Sequence, residues 1–350
     1  MRVLMLVQLV DEREWLRGFT ISWIRALAAR VEHIHVITLE LGEAALPANV
    51  TVQSMGKEKG YSRLRENWEL QRAMLRVIRD SDVIFCHMTP RLTWIAAPLA
   101  KLFRKPQMLW FVHRQKTREL RLALACAHWV TTAAPDSFAF PGPKVHAMGH
   151  GIDTTLFSPS TIPPDDPPLV MAVGRVSPIK HHDTLLEAAA LLRDHPVRFA
   201  IAGEPHTASD QTYYENLLKR RAELGLTAQN FDFLGSCPQN ELVDLYRRST
   251  IAVNLTPPGS FDKAALEAML VGVPLIAANP VFGALLGPHA DKLLVDNPED
   301  ASGVARRLAE LLALPATERS AMGSELRERV AAEHSLDRLM DRLVELMSVR

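Results

Sequence analysis

Two short segments in the second half of the chain carry residue types that suit the binding of a diphosphate. In the first, residues 172–180 (AVGRVSPIK), an apolar strand pattern runs into Gly174 and Arg175 and reaches Lys180 five residues later. Glycine lets a backbone approach a ligand closely, arginine binds phosphate as a planar fork, and lysine binds it as a point charge. A helical pattern begins at Thr184, and a helix N-terminus also favours an anion. Two cations near a helix N-terminus are repelled by the positive end of the helix dipole unless an anion binds with them. The pattern therefore predicts a pyrophosphate site.

The second segment, NLTPPGSFDKAALEAMLVGVPLI at 254–276, places a tight proline–glycine loop before a helix that begins near Asp262. The free amides of Lys263 and Ala264 at such a helix start can hold phosphate oxygens, and Lys263 adds positive charge. Glu267 lies one turn further along, where its carboxylate can accept hydrogen bonds from ribose hydroxyls. The alternative is a surface Lys–Glu pair worth about 0.3–0.5 kcal/mol. Because both segments occur in the same half of the chain, we favour one site built from the two.

The composition is that of a globular protein with two domains. The length of 350 residues exceeds the ~250–300 at which a single core stops growing, and 47% hydrophobic with 23% charged residues is ordinary. Cys86, Cys126 and Cys237 are too few and too scattered for a disulfide framework or a metal cluster, which favours a reducing, cytoplasmic location. The sequence has no run of ~20 apolar residues, so no membrane span is predicted. The apolar residues at the start of the chain are better explained by a buried first strand than by a signal peptide.

The formal net charge of zero conceals an uneven distribution. Residues 1–150 hold 21 Lys and Arg against 13 Asp and Glu, an excess of +8, and residues 151–350 carry the opposite excess of −8. A basic half suits contact with anions such as lipid headgroups, phosphorylated acceptors or nucleic acid, although a solvated surface explains it equally well. No nucleic-acid-binding motif is present, so nucleic acid is not expected as a partner.

A peripheral contact with the inner face of the membrane would use both the basic and the aromatic residues of this half. Trp15, Trp23 and Trp68, with Arg17 and Arg25, supply them. The helical pattern around Trp23, however, has its apolar residues at the spacing of a core-facing stripe. We therefore favour packing of that helix on a sheet, with membrane contact as the alternative.

Strand patterns alternate with amphipathic helical patterns in both halves, which is typical of parallel sheets with right-handed crossovers. The predicted strands are Val3–Leu9, His35–Leu39, Thr51–Ser54, Val83–His87, Gln107–His113, Trp129–Thr132, Leu169–Val173, Arg198–Ala202, Phe231–Leu234, Ile251–Leu255 and Pro274–Ala277. Between the halves, Ser158–Pro168 holds five prolines in eleven residues and is typical of a linker. The order predicts two doubly wound α/β domains that face a cleft, with ligands at the carboxyl ends of the strands.

Five motifs, in order and covering nearly all of residues 149–277, resemble those of the retaining glycosyltransferases of the GT-B fold that are called glycosyltransferase group 1. They are GHGIDTTLFSP at 149–159, VGRVSPIK at 173–180, IAGEP at 201–205, FLGSCPQNELVDLYRRS at 233–249 and LEAMLVGVPLIA at 266–277. The front half resembles the family more loosely, through the segments that end at Met88 and at His113.

The resemblance implies a GT-B-like fold of two Rossmann-like domains. Residues 1–160 would bind the acceptor, residues 161–334 would bind the donor, and a last helix at 335–350 would return to the first domain. The implied activity transfers a sugar from a nucleotide-diphosphate-sugar to a hydroxyl of a lipid, a saccharide or a small alcohol, in polysaccharide or glycolipid biosynthesis. The resemblance further implies retained anomeric configuration, with no metal ion and no other cofactor.

By position in the motifs, the resemblance implies that Arg175 and Lys180 bind the diphosphate and that Glu267 binds the ribose. Amides after Phe261 would contact phosphate and sugar. His113 would lie near the transferred sugar, and we favour that role over a core histidine because strand ends carry function in this architecture. The other donor-binding residues implied are Gly18, Gly174, Glu204, Leu234, Gly235, Asp262, Lys263 and Ala264, with the loop from Leu234 to Cys237 framing the base.

One position departs from the family's pattern. The resemblance implies a pair of glutamates eight positions apart, and the earlier of them would fall at Gly259, within GSFDK. Either Asp262 and Lys263 take over contacts to the sugar hydroxyls, or the donor sugar differs. A sugar-nucleotide epimerase and a catalytically silent nucleotide-binding homologue therefore remain as alternatives.

Overall fold

The computed structural model describes residues 1–13, 19–161, 163–258 and 261–349. The chain divides into two compact units, one of residues 1–151 with 335–350 and one of residues 152–334. The boundary follows Gly151 rather than residue 160, where the sequence placed it. The physical reason is that Ile152 and Phe157 are each only 1% exposed and belong to the core of the second unit.

Parallel strands and helices alternate along the described residues. The strands are β1 Arg2–Val10, β2 His33–Leu41, β3 Val50–Ser54, β4 Val83–His87, β5 Gln107–Trp110, β6 Trp129–Thr132, β7 Val145–Ala147, β8 Leu169–Val173, β9 Arg198–Ala202, β10 Phe231–Gly235, β11 Ile251–Asn254 and β12 Leu275–Ala277. The helices are α1 Phe19–Ala28, α2 Arg63–Val77, α3 Pro90–Leu102, α4 Arg118–Cys126, α5 His182–Leu191, α6 Ala208–Glu223, α7 Gln239–Arg248, α8 Lys263–Val271, α9 Gly283–Leu286, α10 Ala290–Leu293, α11 Ala301–Ala313, α12 Ala316–His334 and α13 Leu336–Ser348.

The first unit is built on a parallel sheet with the order β3-β2-β1-β4-β5-β6-β7. Residues 3–7 of β1 are all fully buried, so both faces of this strand are covered, as is usual in doubly wound sheets. α13 packs against α1 in the same unit. There Arg30 donates hydrogen bonds to Asp337 at 2.8 Å and Asp341 at 2.6 Å.

The second unit is built on a parallel sheet with the order β10-β9-β8-β11-β12. From β8 the chain proceeds to β9 on one side, whereas β11 lies on the other side. Doubly wound sheets bind ligands at such a switch point, outside the carboxyl ends of the two strands. The loops that follow β8 and β11 are therefore where a ligand of this unit is expected.

The predicted order of elements is confirmed, and the α/β class with it, but three local details differ. β5 ends at Trp110 rather than at His113, because the chain leaves the sheet after the amide of Phe111 bonds to the carbonyl of Thr131. The sequence patterns also missed α4 and β7. β7 has only three residues, which is too short for a periodic pattern to stand out.

Candidate functional site

Backbone hydrogen bonds tie together the loops at the carboxyl ends of β8, β9 and β10. The amide of Gly174 donates to the carbonyl of Ala202 at 3.0 Å, and the amide of Gly203 donates to the carbonyl of Gly235 at 2.7 Å. Three successive strand ends are thus held as one backbone surface. Because these loops are already ordered, a ligand that binds at this edge of the sheet does not lose affinity by ordering them.

Gly174 and Gly203 make this close packing of loops possible. A Cβ atom on Gly203 would lie 1.9 Å from the carbonyl oxygen of Gly174, and the φ angle of Gly203 is +149°. A Cβ atom on Gly174, whose φ is +140°, would lie 3.2 Å from Cε of Lys180. Side chains at either position would therefore disturb the loops or displace the lysine. The sequence argument named Gly174 but missed Gly203, although IAGEP contains it.

Lys180 is a buried cation at the switch point. It ends the 3₁₀ turn Pro178–Lys180, directly before α5, and its side chain is 16% exposed. Its ammonium forms an ion pair and hydrogen bond with the carboxylate of Asp262, which is 13% exposed. Because Asp262 precedes α8, the pair joins the loop after β8 to the loop after β11.

Asp262 is the most heavily hydrogen-bonded side chain of this group. Asn254 Nδ2 donates to its Oδ2 at 2.7 Å, and the hydroxyl of Thr256 donates to the same oxygen at 3.1 Å. Its Oδ1 accepts from the amide of Ala264 at 3.3 Å, which makes it the N-cap of α8. Burial alone would raise the pKa of Asp262, but the charge of Lys180 and these hydrogen bonds outweigh burial and hold the pKa below its usual value.

The carboxylate of Asp262 therefore occupies the predicted phosphate environment. It contacts the ammonium of Lys180 and the amide of Ala264 at the start of α8. The sequence argument had assigned both groups to an anionic ligand. A cavity of about 10 Å³, lined in part by Lys180, Asn254 and Thr256, lies beside the pair and has room for one water molecule. Sequence reasoning assigned no role to Asn254 and Thr256. Polar residues at the end of an apolar strand were the available signal.

Lys263 and Glu267 form the expected i, i+4 pair, with Nζ and Oε1 3.2 Å apart. This is not a solvated surface pair, because Glu267 is only 7% exposed. Burial raises the pKa of Glu267, and the charge of Lys263 and its hydrogen bond offset part of that effect. A buried carboxylate of this kind is suited to accept hydrogen bonds from hydroxyl groups of a ligand.

Arg175 is the accessible cation of the loop after β8. Its side chain is 48% exposed, and its Nε lies 3.7 Å from Oδ2 of Asp210. Asp210 also closes the capping box of α6 with Thr207, so the start of α6 fixes where this carboxylate lies. The sequence argument did not include Asp210. Much of the guanidinium remains accessible to solvent, as an anion-binding arginine requires.

The residues predicted to frame a base and a sugar lie on the neighbouring loops. The carbonyl of Glu204 accepts from the amide of Val176 at 3.1 Å, which fixes its backbone beside Gly174. Leu234 is 37% exposed at the end of β10, where an irregularity in strand pairing precedes Gly235. An exposed apolar residue beside an irregular strand end can stack against a planar ring.

Phe261 contacts two aromatic rings within the second unit. Its ring centroid lies 5.3 Å from that of Phe282 and 5.0 Å from that of His334. These contacts fix the backbone just before Asp262. The amides that follow Phe261, predicted to bind phosphate and sugar, thus belong to an anchored segment.

His113 lies in the first unit, three residues beyond the end of β5, and it is exposed. It is therefore a loop residue and does not end a buried strand as predicted. Although much of its surface is accessible, desolvation by the surrounding protein lowers the pKa of its imidazole. His87, which does end a strand, is 2% exposed and packs 4.5 Å from the ring of Trp23. His87 is thus a core histidine, and His113 is available to a ligand.

Several expectations concern other parts of the chain. Gly18, Trp15 and Arg17, together with Gly259, lie outside the described residues. Within the described ranges, His, Cys, Asp and Glu do not form a group of three or more that could hold a metal ion. Among the helices described, none has the length and hydropathy required to cross a bilayer.

The packing of α1 on the sheet agrees with the spacing of its apolar residues. Trp23 is 4% exposed and contacts the rings of Phe85 and Trp110, so it belongs to the core. Arg25 donates hydrogen bonds to Glu12 and to the carbonyl of Ala45. The favoured prediction, that this helix packs on the sheet, is confirmed.

Comparison with protein families gives one match in the second half of the chain. The family model of the glycosyl transferases of group 1 matches residues 153–329. D-inositol 3-phosphate glycosyltransferase of Frankia alni is 30% identical over 276 residues, which is 72% of this chain and 66% of the relative. That of Thermomonospora curvata is 35% identical over 159 residues, 42% of this chain and 36% of the relative. The matches thus span less than two thirds of the length of these relatives.

Solved structures share the fold over the whole chain. HepE of Anabaena, solved in complex with UDP and glucose, superposes with a TM-score of 0.74 at 16% identity and covers 99% of both chains. Sucrose-phosphate synthase of Thermosynechococcus elongatus superposes with a TM-score of 0.75 at 17% identity, covering 99% of this chain and 98% of the other. At these identities the likeness shows the fold, which is GT-B-like.

Proposed function

This chain belongs to the glycosyl transferases of group 1, as its five motifs indicated, and from that premise we propose that it transfers a sugar from a nucleotide-diphosphate-sugar to an acceptor hydroxyl. The observation that carries the proposal is the position of Lys180. Its side chain is 16% exposed at the switch point of the second sheet, beside the start of α8 and next to Gly174. Burying a lysine is costly unless an anion accompanies it, and a ligand diphosphate supplies anionic oxygens.

The residues of the second unit would act mainly on the leaving diphosphate. Negative charge grows on the diphosphate as the bond to the sugar breaks, and fixed cations and amides stabilise that charge. Lys180 would turn from Asp262 to a phosphate oxygen, and the more exposed Arg175 would bind from the solvent side. Asn254 and Thr256 would still satisfy the carboxylate of Asp262 after Lys180 turns away. These cations supply the compensating charge, so the proposed reaction needs no metal ion. Retention of the configuration of the sugar is proposed from the resemblance to the family alone.

The names of the relatives set the order in which we propose to test substrates. Because HepE was solved with UDP and glucose, a uridine diphosphate donor is the first to test. The curated relatives are named for D-inositol 3-phosphate, so a phosphorylated polyol is the first acceptor to test, followed by lipid and saccharide hydroxyls. His113, with its lowered pKa, would be neutral at pH 7 and able to hydrogen-bond a sugar hydroxyl.

The proposal is tested by ligand binding followed by product analysis. UDP, GDP and ADP and their sugars are screened for a shift of the unfolding midpoint, because a ligand that binds only the folded state raises it. The nucleotide that binds is then supplied as donor with a panel of acceptors. Release of nucleotide diphosphate that requires both donor and acceptor, and that falls at least about a hundredfold in Arg175→Ala, supports transfer. Unchanged turnover in that variant would exclude the proposed diphosphate site.

A catalytically silent homologue is the second candidate, and two features favour it. Gly259 stands where the family has an acidic residue, and the carboxylate of Asp262 already occupies the predicted phosphate contacts. Nucleotide binding without turnover across the donor and acceptor panel would support this candidate. Turnover of a donor without any acceptor would instead indicate an epimerase.

A further inference from the structure

α2 exposes an unusual number of large apolar side chains. Leu64 is 83% exposed, Trp68 is 58% exposed and Leu75 is 53% exposed. At about 100° per residue, Trp68 and Leu75 lie about 40° and 20° around the helix from Leu64. The three therefore form one narrow stripe, about 16 Å long at ~1.5 Å per residue. Scattered exposed leucines are ordinary, but an aligned stripe with a tryptophan marks an interaction surface.

A row of arginines lies directly beside this stripe. On the same scale, Arg72, Arg65 and Arg76 lie at about 80°, 100° and 120° from Leu64. Arg72 lies over the ring of Trp68, 5.3 Å from its centroid, so the tryptophan and the cation are held together. One acidic side chain, that of Glu69, pairs with this row, 3.8 Å from Arg72. The surface is thus strongly basic as well as apolar.

The opposite face of α2 anchors the helix to the first unit. Its buried residues, which include Leu70, Ala73 and Met74, belong to the core cluster of that unit. Buried Glu66 accepts from Arg91 on α3 at 3.2 Å. The helix is therefore fixed, and its apolar stripe does not arise from exposure of a core face.

We propose that the outward face of α2, formed by Leu64, Trp68 and Leu75 with Arg65, Arg72 and Arg76, docks on an anionic lipid surface. A tryptophan and leucines insert at the level of the headgroups, and arginines beside them bind phosphate groups. A protein partner with an acidic groove would need matching apolar pockets, whereas a lipid surface offers both kinds of contact without a specific shape. The +8 excess of residues 1–150 agrees with an anionic surface as the occupant.

The test is co-sedimentation of the full chain with vesicles of phosphatidylcholine alone or mixed with phosphatidylglycerol. We expect binding to the anionic vesicles, weakened by salt, and little binding to the neutral ones. The variant R65Q/R72Q/R76Q should lose about a hundredfold in partitioning, since each arginine near an anionic surface contributes roughly fivefold. L64Q/W68Q/L75Q should lose at least about tenfold, and glutamine keeps helix propensity close to that of leucine.

Two matched substitutions in the second unit control for general changes in surface character. Leu191→Gln replaces a leucine that is 58% exposed, and Arg306→Gln removes an exposed arginine. Both should bind vesicles like the wild type. The proposal is overturned if the wild type does not bind anionic vesicles, or if the two α2 variants bind as well as it does. An α2-dependent dimer in solution that excludes vesicles would assign the face to a second copy of the chain instead.

Discussion

At the scale of single residues, the central feature is the pair formed by Lys180 and Asp262. A carboxylate from the chain itself contacts the cation and the helix-start amide that suit a phosphate group. In the absence of ligand this contact stabilises a lysine that would otherwise be buried with an uncompensated charge. If a diphosphate binds Lys180 as proposed, its phosphate oxygens have to replace the carboxylate of Asp262. Its affinity would then depend on how much more strongly Lys180 binds the phosphate than the carboxylate.

A second buried ionisable residue predicts how stability changes with pH. His87 is 2% exposed, and burial lowers its pKa to about 3. Because the unfolded chain has a histidine pKa near ~6.5, the folded state binds fewer protons below that pH. The stabilisation is complete above about pH 6.5 and is lost as the pH falls toward 3, so about 2 kcal/mol is lost at pH 5.

Urea unfolding at pH 7 and pH 5 measures this effect. All six tryptophans lie within residues 1–150, so tryptophan fluorescence follows the unit that contains His87. The wild type should lose about 2 kcal/mol more than His87→Gln over this interval, because the variant lacks the titrating group. An equal loss in both proteins would show that His87 does not stay neutral in the fold.

At the scale of elements, the site depends on the loops after β8 and β9 more than on the strands themselves. The packing of Gly203 against the carbonyl of Gly174 lets these loops touch, and Gly174 leaves room for Lys180. The N-cap Asp262 then links the same layer to α8. The chemistry thus lies on short loops that a buried parallel sheet holds in place.

Gly203→Ala tests the contribution of this loop packing. The added methyl group would lie 1.9 Å from the carbonyl oxygen of Gly174, so the loops must move apart. We expect a loss of about 2–4 kcal/mol in the free energy of unfolding and weaker nucleotide binding. Gly225→Ala is the control, because its φ of +72° is also positive but no atom lies within 4 Å of the added carbon. Equal effects of the two substitutions, each near 1 kcal/mol, would mean that backbone strain alone matters.

At the scale of the whole molecule, the sequence predicted the architecture well because hydrophobic periodicity reports burial directly. The alternation of β8, α5, β9 and α6 was evident from the pattern, and so was the start of α8 at Asp262. The motifs likewise predicted that Lys180, Glu267 and Gly174 contact one ligand, and that stays a prediction. Such features are local, and local patterns survive in a single sequence.

Long-range contacts between side chains were beyond the sequence argument. The pairing of Lys180 with Asp262 spans 82 positions, and no spacing rule connects them. The domain boundary was missed for a similar reason, because burial of Ile152 and Phe157 in the second unit depends on packing. The exposed stripe on α2 was also missed, since an amphipathic pattern does not reveal which apolar residues remain outside the core.

The central claim is that Lys180 serves to bind the diphosphate of a ligand, and that Asp262 pairs with Lys180 when that ligand is not bound. Calorimetric titration of UDP into the wild type and into the Lys180→Met/Asp262→Asn double variant tests it most directly. Lys180→Met alone should lose about 1.5–3 kcal/mol of stability, because it removes the charged hydrogen bond to Asp262 while Asn254 and Thr256 still bond to the carboxylate. The double variant should recover most of that loss. Lys219→Ala, at an exposed lysine on α6, is the control for removing one positive charge.

The account predicts that the folded double variant binds UDP at least about tenfold more weakly than the wild type, while Lys219→Ala binds UDP unchanged. A double variant that is stable and binds UDP as tightly as the wild type would contradict it, because Lys180 would then serve only to pair with Asp262.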